Sequence, residues 1–194
     1  MFRDSIYVFD DFYQDPDEMR ISVLRRTDWG YFGNYPGIRT GRINYDTSLM
    51  LRNVFEEQII RRRIEDWNVG NNTCFQLCYS WDTTWIHHDP CQWAAVIYLT
   101  PDAPPESGTG FFRHKETGID RYDGNIKNCF NSNWEENTDL NKWDKMAEVS
   151  NVYNRAVIYR GDLYHRSMLP GFGNSLETGR LTQTFFFDER FSWR

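Results

Sequence analysis

"TTWIHHDPCQWAAVIYLT", residues 83–100, sets two histidines and an aspartate just ahead of a run of apolar and β-branched residues. In an extended chain, successive side chains point to opposite faces. His87 and Asp89 then share one face, and His88 points to the other. A lone H-x-D pair is weak evidence for a metal, because a metal needs a third protein ligand. The other histidines are His114, which ends "GTGFFRH", and His165, in "YRGDLYHRS" after a tight turn. His165 stands at the start of a short strand, and either histidine could complete the set. Two imidazoles and one carboxylate leave open positions on a metal, the arrangement of non-haem Fe(II) oxygenases rather than of a closed structural site.

Outward from this stretch, the chain is a series of short aromatic and β-branched runs. "TCFQLCYSW", "GTGFFRH", "RAVIYR" and "RLTQTFFFD" are separated by the turn-forming "PDAPPESG", "RGD" and "PGFGNSLETG",. Before them, "SIYVF" reads as a strand and "DPDEMRISVLRRTDW" as a helix. Asp15 suits the N-cap, Pro16 the first turn, and Glu18 completes a capping box. Helical spacing of Met50, Val54, Phe55, Ile59, Ile60 and Ile64 predicts the longest helix, from Thr47 to about Trp67. Residues 31–45 read as loops with short strands. The pattern predicts a mainly β (α+β) domain: an antiparallel sandwich or barrel with N-terminal helices packed on one side. Residues 115–152 are polar and Asn-rich and form an insertion or lid. Within it "TDLNKWDKMAEVS" is expected to be helical, with Leu140, Trp143, Met146 and Ala147 on one stripe.

The 194 residues fit a single domain spanning 1–194,. With 22 basic and 28 acidic residues, the net charge of −6 disfavours phosphate-driven binding to nucleic acid,. "RRR" at Arg61–Arg63 lies among acids and reads as a solvated helix face. No apolar run approaches the ~20 residues that span a bilayer. "MFRDSIYVFDDF" has acids where a signal peptide needs an apolar stretch. A cytoplasmic protein without membrane contact is expected. Cys74, Cys78, Cys91 and Cys129 form no CxxC pair and are expected as reduced core thiols,.

The ordered set His87, Asp89, Tyr98, His165 and Arg180 resembles the Fe(II)/2-oxoglutarate-dependent dioxygenases of the prolyl-hydroxylase-like kind. Their pattern is H-x-D, a distal histidine, and an arginine opening the last core strand. "AAVIYLT" resembles the family strand that carries a tyrosine, with Thr100 where relatives often have Asn. "ESGTGFFRH" resembles the glycine-containing strand that follows, and "YVFDDFYQDPDEMR" the N-terminal strand and helix. The resemblance implies a double-stranded β-helix (jelly-roll or cupin-like) barrel. It implies Fe(II) on His87, Asp89 and His165, 2-oxoglutarate as cosubstrate, and O2. The far carboxylate of 2-oxoglutarate would lie on Arg180, whose fork can grip both oxygens, with hydroxyls from Tyr98 and Thr182. The spacing from His165 to Arg180 is longer than is usual in the family. Arg166 is the rival anchor, although as the neighbour of a ligand in a strand it should face away from the metal.

The implied reaction hydroxylates a C–H bond of a peptide side chain or small metabolite and releases succinate and CO2. Arg113, His114 and the 115–152 insertion are candidates to face that substrate. Two other readings stay open: a cupin-type metal dioxygenase without 2-oxoglutarate, and a barrel-shaped binding module without catalysis.

Overall fold

The computed structural model describes residues 5–30, 35–67, 69–125, 127, 129–168 and 171–189. Strand β1 is Ile6–Phe9, and helix α1 is Pro16–Leu24. The Asp15 side chain accepts the Glu18 N–H at 2.8 Å and so caps α1 as its sequence requires,. After β2 (Ile38–Arg39) comes α2 (Tyr45–Val54), capped by Asn44, whose side chain accepts from Thr47 N.

The expected helix to Trp67 is not formed. α2 widens into a π-turn at Phe55–Ile59, Ile60 N bonds Phe55 O, and Arg61 takes a positive φ of 52° that ends the helix. Ile64 then enters β3 (Ile64–Asp66). The helical spacing of Ile59, Ile60 and Ile64 is misleading, because Ile64 reaches the core equally well from an extended chain. There Glu56 accepts its N–H at 2.7 Å, and the strand pairs with the far end of the last strand.

The remaining strands are β4 (Phe75–Cys78), β5 (Trp93–Tyr98), β6 (Thr109–His114), β7 (Trp143–Val149), β8 (Ala156–Arg160), β9 (His165–Ser167) and β10 (Arg180–Glu189). β7 replaces the second expected helix, which is a correction. Trp143 is buried, Ala147 and Val149 are half-buried, and the exposed Met146 has left the supposed stripe. Pairing with β6 over Thr109–His114 outweighs local helix propensity,. The interruption between β6 and β7 is therefore shorter than expected. Its only α-helix among the described residues is α3 (Trp134–Thr138), capped by Asn133.

Two antiparallel sheets result. The larger runs β1-β8-β5-β10-β4-β2, with β3 also on β10; the smaller runs β7-β6-β9. The alternation along β10 explains the layering. Leu181, Phe185 and Phe187 join a core with Val23 of α1, Leu51 of α2 and Phe55. Phe55 is fully buried, with its ring 5.0–5.8 Å from Phe12, Trp67, Phe185 and Phe187. Burying one such side chain contributes about 1.5–3 kcal/mol. The opposite face of the large sheet carries Ala94, Tyr98, Val157 and Tyr159, which meet Phe111 of the small sheet. A third cluster, with Ile86, Phe112, Phe130, Trp143 and Tyr164, packs on the other side of the small sheet. Cys74, Cys78 and Cys91 are buried free thiols, and Cys129 is half-buried and also free.

Candidate metal centre

Between the sheets lies a cavity whose wall includes His87, Asp89, His165, Arg180, Thr182 and Tyr159. Its geometry starts from the backbone. His87 N donates to His165 O at 3.0 Å and His165 N to His87 O at 2.8 Å, which binds two segments 78 residues apart in sequence into an antiparallel bridge. Asp89 N bonds Gly161 O at 2.7 Å and fixes the third side chain. One ligand atom from each of the three lies within 4.8 Å of the others, a group that could hold a metal ion.

Each imidazole is also oriented locally. Nδ1 of His87 bonds Trp85 O at 3.0 Å, and Nδ1 of His165 bonds Leu163 O at 2.8 Å. A carbonyl accepts only from N–H, so the proton sits on Nδ1 and Nε2 keeps its lone pair. These Nε2 atoms lie 4.0 Å (His87) and 3.4 Å (His165) from the Asp89 carboxylate. Burial, reinforced by His165, pushes His87 down to about 4, so His87 is neutral at neutral pH. Burial acts to raise the Asp89 carboxyl. Contact with the His165 ring and the fields of His165, His87 and Arg39 outweigh it and hold Asp89 below the ordinary value. The result is two imidazole nitrogens facing one carboxylate, a donor set that suits a divalent first-row metal,.

His88 turns the other way. Its ring stacks on Tyr122 at 4.3 Å and 9°, and Nε2 lies 3.7 Å from Cys129 Sγ. Asn131 grips its backbone twice, accepting from His88 N at 3.0 Å and donating to His88 O at 2.9 Å.

The remaining expected residues divide. Arg180 is 3% exposed, donates Nε to Ser107 O at 3.0 Å and lies 5.6 Å from the Tyr98 ring. Among the described residues it has no acidic partner. Thr182 lines the same wall and donates to Gln76 O at 3.4 Å. Tyr98 is directly across from Thr182 in register, fully buried behind the wall, and its hydroxyl bonds Thr109 Oγ1 at 2.7 Å. Arg166 also lines the cavity and donates Nε to Ser167 O at 2.9 Å.

Arg113 and His114 are not on this wall. Arg113 pairs with Asp120 at 3.5 Å. His114 is 3% exposed, bonds Glu136 at 2.7 Å and packs on Phe130 and Trp143. Both tie the interruption to the small sheet, which corrects their expected place beside a substrate. The interruption meets a wall residue through Trp134, which is 56% exposed and lies 5.4 Å from the ring of Trp85.

Sequence reasoning missed Tyr159, whose ring lies 4.6 Å from His165, and Arg39. Alternation in "RAVIYR" was a usable signal for Tyr159. Arg39 had none, because nothing local marks the two-residue strand β2.

Comparison with known proteins agrees with this geometry. Residues 73–187 match a family described as "Family of unknown function (DUF6445)". No curated protein sequence matches the chain. Among solved structures, the chain is similar to a prolyl-4-hydroxylase of Pseudomonas putida: TM-score 0.56, 16% identity, 96% of this chain over 94% of that one. It is similar to HygX of Streptomyces hygroscopicus, solved with nickel and 2-oxoglutarate: TM-score 0.60, 15% identity, 100% of this chain over 87% of that one. It is also similar to SnoN, a non-haem α-ketoglutarate-dependent epimerase of nogalamycin biosynthesis: TM-score 0.58, 12% identity, 95% over 80%. The fold is Fe(II)/2-oxoglutarate oxygenase-like.

Proposed function

The chain belongs to the DUF6445 family, a family of unknown function, and we propose that it is an Fe(II)- and 2-oxoglutarate-dependent oxygenase on a double-stranded β-helix. It would be a single domain, with the segment between β6 and β7 packed on the small sheet. One observation carries the reading. A cavity lined by two histidines and one carboxylate is also lined by a buried guanidinium, Arg180, with no acidic partner among the described residues. A structural metal site has no use for such a cation, and a dicarboxylate cosubstrate does.

His87, Asp89 and His165 fit Fe(II), and Arg180 fits the far carboxylate of 2-oxoglutarate. When bound, this pair supplies the activation of O2 that oxidises a C–H bond, with 2-oxoglutarate leaving as succinate and CO2. The protein's part is positioning, charge and exclusion of water. The Nδ1 anchors on Trp85 O and Leu163 O keep both Nε2 lone pairs aimed at the metal position. Asp89 supplies one negative charge. Thr182 and Tyr98, the latter through Thr109, support the carboxylate end of the pocket. Trp85 and Trp134 shield the opposite end. The substrate is a small molecule or peptide. The arginine disfavours a cupin-type dioxygenase without 2-oxoglutarate, and the intact ligand set disfavours a non-catalytic binding module.

Anaerobic titration of the apo protein with Fe(II) and then 2-oxoglutarate tests this. The iron–keto-acid chelate gives a visible charge-transfer band. The band is expected in wild type and His88→Ala, and is expected to be absent in His87→Ala. Bound iron without a band in wild type returns the cupin-type reading. No bound iron removes the metal-enzyme reading altogether.

A further inference from the structure

Arg39 is a buried cation beside the site that the oxygenase reading does not use. It is 9% exposed, and its Nε is buried without a hydrogen-bond partner among the described residues. Register places it on the cavity side of the large sheet: Arg39 pairs with Gln76, Gln76 with Thr182, and Thr182 with Tyr98. One arm donates to Gln76 Oε1 at 3.0 Å, and Gln76 lines the cavity. The guanidinium lies over the Tyr35 ring at 3.9 Å and 6.0 Å from the ring of Phe186, another wall residue. No acid pairs with it among the described residues, although its charge is felt at Asp89.

Charge balance shows what is missing. A divalent metal, Asp89, 2-oxoglutarate and Arg180 together are neutral, so the charges of Arg39 and Arg166 have no counter-ion among these groups. A buried charge is costly until it is paired. Arg166, a cation on the wall, also has no acidic partner among the described residues but keeps its Nε on Ser167 O, whereas the Nε of Arg39 has no such bond among them. A phosphate would call for several converging donors or a helix N-terminus. Arg39 offers one planar edge between two rings, which matches a carboxylate.

We propose that Arg39 is the specificity residue of the active site and binds a carboxylate of the substrate to be oxidised. The proposal rests on the oxygenase reading, and its test separates the two. Protein loaded with Zn(II) and 2-oxoglutarate, labelled with 15N at arginine, is titrated with the twenty L-amino acids and with the matching amino-acid amides. The Arg39 Nε–H signal is identified as the one missing from Arg39→Gln. One or more acids are expected to shift it, with the matching amides at least about tenfold weaker. Arg39→Lys keeps the charge but not the fork and is expected to weaken the same acid about tenfold or more. In Arg39→Gln the 2-oxoglutarate affinity, read from the Fe(II) charge-transfer band, is expected to stay within about threefold, a difference of less than 1 kcal/mol. Amides that bind as well as acids, or no acid that shifts the signal, overturn the proposal. So does a loss of 2-oxoglutarate affinity in Arg39→Gln, which would make Arg39 a cosubstrate anchor. Failure of the oxygenase reading shows separately, as a wild type without the band.

Discussion

Arg180→Met should produce two opposite effects. In the protein without cosubstrate, Arg180 is a buried charge with one hydrogen bond, to Ser107 O, and no acidic partner among the described residues. Replacing buried ionic groups by apolar groups of similar size is neutral to stabilising by roughly 1–4 kcal/mol. Methionine follows the arginine stem closely, so no large cavity opens. Leaving Ser107 O without its donor costs about 1–3 kcal/mol. Taking the middle of each range, the balance is a gain of about 0.5 kcal/mol, or roughly 1–2 °C in Tm for a domain of this size. With cosubstrate the sign reverses. Loss of one partner of a buried charge pair costs about 2–5 kcal/mol, or roughly 30- to 5,000-fold in 2-oxoglutarate affinity. Calorimetry of the metal-free protein reads the first effect, and the charge-transfer titration reads the second. A lower Tm combined with unchanged 2-oxoglutarate affinity would refute the reasoning, because Arg180 would then be an ordinary structural arginine.

Other parts of the molecule give further expectations. Phe55→Ala removes the ring at the centre of the helix-facing core and should cost about 3–5 kcal/mol in urea unfolding,; a cost under about 1 kcal/mol would mean that the cluster repacks freely. Gly161→Ala sets a Cβ 2.3 Å from Cys91 O, on the turn whose carbonyl holds Asp89 N. Metal affinity should fall about tenfold or more, as when a ligand's supporting partner is lost, measured by competition with a chelator. Arg155 and Arg26 hold Asp10 and Asp28 below the ordinary carboxylate value through side-chain hydrogen bonds. A depressed carboxyl stabilises the fold above its unfolded pKa, near 3.8, and that contribution is lost as pH falls through the lower folded value. The small Tm deficit of Asp10→Asn should therefore be present at pH 7 and vanish toward pH 2. A deficit unchanged at pH 2 would mean it comes from packing.

The parts of the site that could be read from sequence are those whose information is local. Alternation separated His87 and Asp89 from His88, and Asp15, Pro16 and Glu18 marked the start of α1. The helices misread over 47–67 and 138–150 failed for one reason. Residues such as Ile64 and Trp143 reach apolar surroundings from a helix or a strand, and only distant pairing partners, the end of β10 and β6, decide between the two,. Arg39 was invisible because its role depends on register across three strands. Arg113 and His114 were misplaced because the segment after β6 folds back on the small sheet rather than over the cavity.

The bridge between His87 and His165 also bears on how the protein checks its own assembly. A slip of one residue in that bridge would bring His88 into the cavity, where it could pass for a ligand. It would also carry Pro90 into the place of Asp89. The doubled histidine is thus a decoy that the carboxylate exposes, since only one alignment delivers all three donors. Asn131, clasping His88 from outside, favours that alignment before any ion arrives. Metal binding would add to that preference, because only the correct alignment presents all three donors,.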